Sequence, residues 1–248
     1  MFGSKSLRLG PVVLLGQIAG QVKWATNVPC LQRVRFLSHL RQAGSDKIPL
    51  QTHYIKFSSA LLPEECEALL KDMVVHDDFL SDVEEKIIFD EVEPYISRLH
   101  YEYDHWDNAI HGFRETERLH WTKPSSAILD RVRGIAFPEG KSQLKHVHVL
   151  DLSENGFIKP HIDSVKFCGD TIAGLSLLSD SVMRLVHDKD CNKIVDVLLK
   201  RRSLYVMRDS ARYNYTHEIL KKDASIFNDK VIPRHRRISV ICRSEVTS

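Results

Sequence analysis

From Lys145 onwards the chain switches to a two-residue hydrophobic period, and this constrains its fold more than any other feature. His146, His148, Leu150 and Leu152 alternate with Val147, Val149 and Asp151, so an extended run here presents one mixed and one apolar face. Asn155-Gly156 follows, a dipeptide suited to a tight turn, and predicts a hairpin returning through Ile158 to Ile162. Further β-rich runs come at short spacing: Thr171 to Leu178, Val182 to Val186, Ile194 to Leu199, Ser203 to Met207 and Arg237 to Arg243. Many short strands with turns between them point to antiparallel sheets packed as a sandwich or jelly-roll.

Upstream, the apolar spacing is helical. After a short strand at His53 to Phe57, Ser58 or Ser59 can cap a helix with Pro63 and Glu64 in its first turn, running through Leu69, Leu70 and Met73. Ser81 to about Tyr103 places Val83, Ile87, Ile88, Val92, Ile96 and Leu99 three and four apart, with Pro94 able to kink or restart the helix. A third helix is expected from Ser125 or Ser126 to about Ile135. The layout is α+β: helices within residues 59 to 135 supporting a double-sheet barrel over 145 to 243, in one domain spanning 46 to 248.

Residues 1 to 45 contain no Asp or Glu but carry Lys5, Arg8, Lys23, Arg33, Arg35 and Arg41. A basic, acid-free leader is the signature of a mitochondrial transit peptide, and Arg33 and Arg35 before Phe36-Leu37-Ser38 suit a processing site. The competing reading is a solvated basic tail. No apolar run approaches the roughly 18 residues of a membrane span. The five cysteines are widely spread without a CxxC, which argues against a disulfide framework and for a reducing compartment. A net charge of +2 gives no global electrostatic case for a nucleic-acid binder. Nothing fixes the oligomeric state, and a monomer is the default.

The chemistry-bearing stretch is Lys159 to Asp163, KPHID. In an extended chain His161 and Asp163 point to the same face, so an imidazole nitrogen and a carboxylate oxygen can reach one ion. A later histidine would complete the two-histidine, one-carboxylate facial triad of non-haem Fe(II) oxygenases. His187 and His217 are candidates for it. His217 can return to the barrel mouth after the Ser203–Met207 strand, whereas His187 sits beside Asp188, Lys189 and Asp190 in an apparent exposed turn. His146 and His148 read as strand-face residues. Such a centre needs a reductant, usually 2-oxoglutarate, whose distal carboxylate calls for a cation. Arg237 and Arg243 lie six positions apart on RISVICR, so both face one side with Ser239 and Ile241. A solvated patch of Arg234, Arg236, Arg237 and Arg243 is the bland alternative.

HID (161 to 163), SLYVMRDSARYNYTHEI (203 to 219) and RRISVICR (236 to 243) together resemble the AlkB family of Fe(II)/2-oxoglutarate dioxygenases. With the leader and WDNAIHGFRETE (106 to 117), the resemblance covers most of the chain and is greatest to a mitochondrial branch. It implies a double-stranded β-helix (jelly-roll). It makes His161, Asp163 and His217 the iron ligands, Tyr205, Arg237 and Ser239 binders of 2-oxoglutarate, and Arg243 the second arginine of an R-x5-R pair. No catalytic group beyond the triad is implied. The family's nucleic-acid demethylases carry an asparagine and a tyrosine where this chain has Leu150 and Leu152, and a nucleotide-gripping lid where it has only Phe137 to Leu144.

The expected reaction is oxidative decarboxylation of 2-oxoglutarate, with O2, to succinate and carbon dioxide, coupled to hydroxylation of a C–H bond. A protein side chain is the expected substrate, in the mitochondrial matrix. The resemblance also implies roles in programmed necrosis and fatty-acid metabolism. The rivals are N-methyl demethylation of mitochondrial RNA, and an iron- and 2-oxoglutarate-sensing interaction protein whose turnover is incidental.

Overall fold

The computed structural model describes residues 53–103 and 109–246; the leader expected at residues 1 to 45 lies outside them. Twelve strands and four helices follow one another in the described chain. They are β1 (Ile55–Phe57), α1 (Pro63–Asp72), β2 (Met73–His76), α2 (Asp82–Ile96), β3 (Ile110–Arg118), α3 (Lys123–Ala136), β4 (Val147–His161), β5 (Thr171–Leu177), β6 (Ser181–His187) and β7 (Asp190–Leu199). Then come β8 (Leu204–Arg208), α4 (Asp209–Tyr213), β9 (Tyr215–Ile219), β10 (Ile226–Phe227), β11 (Lys230–Val231) and β12 (Arg237–Arg243). The main sheet runs β1-β7-β6-β9-β4-β12-β5-β8-β2, with β3 also on β4. Every pairing is antiparallel.

This is the curled double-stranded β-helix that the sequence predicts, but β4 departs from expectation. Asn155-Gly156 makes no hairpin turn; β4 continues through it for 15 residues. Its first half pairs with β12 (Arg237↔Leu152 to Ile241↔His148) and its second half with β9 (Ile158↔Ile219, His161↔His217). Opposite β3 the register slips between His111 and Phe113, so the residues around Asn155 bulge where β4 passes from pairing with β12 to pairing with β9. Gly156 has a packing role there: a Cβ would stand 2.5 Å from the Gly112 carbonyl oxygen. A turn signal in sequence has become a bulge because close backbone contact needs the same residue.

The helices differ at their ends. Ser58 does not cap α1; its hydroxyl donates to the Asn192 carbonyl and accepts from the Ile194 amide, tying β1 to β7. Leu62 is the N-cap, with Pro63 opening the helix and the Glu65 carboxylate accepting from the Leu62 amide. Ser81 and Glu84 form the capping box of α2. That helix stops at Ile96, two residues past an accommodated Pro94, rather than reaching Tyr103. Met73 begins β2, and Ile110–Arg118 forms β3, an unpredicted strand.

Alternation along the strands divides two cores. Leu150, Leu152, Ile172, Tyr205, Met207 and Ile241 face the barrel interior. Val147, Val149, Ala173, Leu175, Val206, Ile238 and Val240 pack outward against Ile88, Val92, Leu129 and Val132 of α2 and α3. Among the described residues no helix is long and apolar enough to cross a membrane.

Candidate metal centre

The end of β4 delivers His161 into the barrel mouth, and its direct cross-strand partner on β9 is His217. Their ring centroids are 4.3 Å apart. Asp163 follows two residues beyond the strand and brings Oδ1 to 3.3 Å from His161 Nε2 and 3.7 Å from His217 Nε2. One donor atom from each of the three lies within 4.8 Å of the others. His161 Nδ1 meets the Lys159 carbonyl oxygen at 2.9 Å, a backbone contact that fixes the ring and turns Nε2 inward. His217 is 8% exposed; burial, then the neighbouring His161, lowers its pKa to about 3, so the ring is a neutral nitrogen donor. Burial alone would raise the Asp163 carboxyl, but His161 and the charge of Arg243 hold it well below the carboxylate range. Two imidazole nitrogens and an anionic oxygen are the donor set that suits Fe(II).

Deeper in the barrel, alternate positions of three strands converge. Arg237 on β12 is 2% exposed, donating to Ser239 Oγ beside it and to Ser176 Oγ of β5 at 2.9 Å. Its Nε has no partner, and burial lowers its pKa to about 10. Tyr205 of β8 is buried nearby, its phenol raised by burial against the pull of Arg237. Gly174 is the cross-strand partner of Tyr205, and a Cβ there would stand 2.6–2.7 Å from the ring carbon and hydroxyl of Tyr205. A side chain at 174 would therefore push the tyrosine off its place. Arg243 reaches from the strand's far end to Asp163, Nε to Oδ2 at 3.4 Å. A buried cation held only by hydroxyls, beside a two-histidine, one-carboxylate cluster, fits a dicarboxylate that chelates iron at one end.

Comparison with known proteins agrees with this geometry. No protein-family model matches the chain. It is 58% identical over 171 residues, 69% of its length and 77% of the relative's, to the cattle "alpha-ketoglutarate-dependent dioxygenase alkB homolog 7, mitochondrial". The mouse protein of that name is 57% identical over 176 residues, covering 71% of this chain and 80% of its own. The chain belongs to the alkB homologue 7 family of 2-oxoglutarate-dependent dioxygenases. It is an enzyme using Fe(II), 2-oxoglutarate and O2. At the level of fold, a Pseudomonas putida prolyl-4-hydroxylase superposes with a TM-score of 0.51 at 14% identity, covering 73% of this chain and 98% of that one.

All seven residues singled out from sequence lie at this end and interior of the barrel. His187 does not join them; it packs edge-on to Tyr215 and meets Asp188 at 3.6 Å. His146 is exposed, and His148 contacts Glu115 at 2.9 Å. Sequence reasoning missed Ser176, Gly174 and Arg212. The even spacing of Gly174 and Ser176 on β5 was visible, but their partners lie on β8 and β12. Arg212, from α4, is fully buried and donates to the Asp163 carbonyl oxygen. That segment reads as a polar loop, and nothing local marks the arginine as internal.

Proposed function

We propose that His161, Asp163 and His217 hold the iron, and that Arg237, with Ser239 and Tyr205, anchors the distal carboxylate of 2-oxoglutarate. Arg243 steadies Asp163 from the side. The observation carrying this reading is the convergence of three candidate ligand atoms within 4.8 Å, in a barrel whose buried Arg237 has no carboxylate partner among the described residues. The bound iron and 2-oxoglutarate supply oxidative decarboxylation coupled to C–H hydroxylation. The protein binds and orients the pair, and the apolar interior walls, Leu150, Leu152 and Ile241, exclude water around them.

We take the prime substrate to be a protein side chain. Val165 and Phe167, 55% and 74% exposed, follow Asp163 directly and give the mouth an apolar lip suited to a polypeptide. The leader's six basic residues exceed the chain's whole excess of +2, so residues from 46 onward are net acidic. That is a poor match to a polyanion. The leader, read as a transit peptide, directs the enzyme to the mitochondrial matrix, and the domain begins near residue 46. Roles in programmed necrosis and fatty-acid metabolism would follow from turnover of that substrate.

The test is anaerobic addition of Fe(II) and 2-oxoglutarate to the purified protein, watching for the visible band of the chelate. A band that His217→Ala and Arg237→Ala both weaken supports the assignment. A folded protein with no band rejects it and leaves a vestigial site on an interaction protein.

A further inference from the structure

Arg212 is the side chain that the reading above leaves unexplained. It is fully buried, yet among the described residues its hydrogen bonds go to main-chain oxygens, Asp163 O at 2.8 Å and Cys168 O at 3.4 Å, both from Nη2. Among the described residues Nε and Nη1 have no partner, and the guanidinium carbon lies 5.0 Å from the Tyr213 ring centroid. An ionised group buried without a bonded carboxylate is costly to the fold. Its position suggests what offsets the cost. Arg212 sits on α4, between the end of β8 and the start of β9, five residues before His217. The carbonyls it grips bracket the segment from Asp163 to Cys168, which closes on itself through Phe167 and Cys168 amides donating to the Ser164 carbonyl.

We propose that Arg212 is a positioning residue for the metal centre, locking the Asp163–Cys168 segment to α4 so that the Asp163 carboxylate is held between His161 and His217. This rests on the ligand assignment above. Asp163 lies outside regular structure, so no sheet ladder fixes it as it fixes the two histidines. Arg212 supplies a side-chain hydrogen bond to its backbone, at 2.8 Å. Arginine suits the task because its planar fork presents several rigid donors; an amine reaches one carbonyl with less directional control. The metal's own charge then sees a carboxylate already in place, as outer-shell partners commonly provide.

The test uses Co(II) as a spectroscopic stand-in for Fe(II), titrated into metal-free wild type, Arg212→Met, Arg212→Lys and His161→Ala. Metal-free thermal unfolding is measured in parallel. Arg212→Met is expected to lose about 10- to 100-fold in Co(II) affinity and to change the visible d–d spectrum, with the metal-free midpoint unchanged or raised. Arg212→Lys is expected to fall between it and wild type. Wild-type affinity and spectrum in Arg212→Met would overturn the proposal. Should that variant fail to fold, Arg212→Lys decides: a wild-type spectrum and affinity reject the clamp, and a weakened, altered site supports it. Undiminished binding by His161→Ala would instead reject the ligand assignment, and the clamp with it.

Discussion

Arg236 and Arg237 are neighbours in the chain, yet Arg236 is clasped by two carboxylates while Arg237 bonds to none among the described residues. Arg236 points outward and donates to Asp151, at 2.8–3.1 Å, and to Glu93 of α2. Asp151 is fully buried and also accepts from Arg114 Nε at 2.7 Å and Tyr101 Oη at 3.3 Å. Burial lowers the pKa of Arg236, but Glu93 and Asp151 outweigh it and raise it. Arg237 points inward, is lowered to about 10, and meets only hydroxyls. The outer face uses its charges to join helix to sheet; the inner face holds a cation among hydroxyls. Adjacent arginines thus separate architecture from chemistry on the two sides of one strand.

Breaking either side should have different consequences. The largest effect is expected inside: His161→Ala or Asp163→Ala should reduce succinate release to the level of a protein-free control, with the metal-free fold intact by circular dichroism. On the outer face, Asp151→Ala leaves Arg114 and Arg236 short of their shared carboxylate. Urea unfolding should show a loss of about 3–5 kcal/mol, while the 2-oxoglutarate affinity of the folded fraction stays near wild type. Arg237→Met should do the reverse, weakening 2-oxoglutarate binding by about 10- to 100-fold with metal-free stability unchanged or higher. A 2-oxoglutarate titration followed by the chelate band checks it.

Gly174→Ala sharpens the contrast, because the added methyl meets Tyr205 inside the barrel. A cost of about 1–3 kcal/mol and a raised KM for 2-oxoglutarate are expected. The last effect concerns pH. His217 has a folded pKa of about 3, below its usual value near 6.5, so the unfolded chain binds the extra proton first. Metal-free stability should therefore fall as pH drops below about 6.5, at up to about 1.4 kcal/mol per unit, until His217 itself protonates near 3. His217→Gln should flatten that limb in urea melts at pH 7, 6 and 5.

Much of the site could be read from local pattern. RISVICR carries its own parity, and once it is extended, Arg237, Ser239 and Arg243 must share a face. The two-residue spacing of His161 and Asp163 was legible in the same way, although Asp163 lies just beyond the strand's end. Arg212 offers no such period. Its burial depends on a short helix folding over the segment after Asp163, and those residues are about fifty positions away.

By itself, then, the sequence determined the alternation of the β5, β8 and β12 strands, the helices that back them, the spacing of His161 and Asp163 and the inward arginines, because side-chain direction is a local property of an extended backbone. Tertiary structure decided where that local code was ambiguous. Asn155-Gly156 became a bulge rather than a turn because Gly112 packs against it. Met73–His76 became a strand because β8 offered an open edge. Gly174 was needed because Tyr205 lies across it, and Arg212 was drawn inside by two carbonyls. In each case the deciding partner is distant in the chain, and its contact exists only once the barrel has closed.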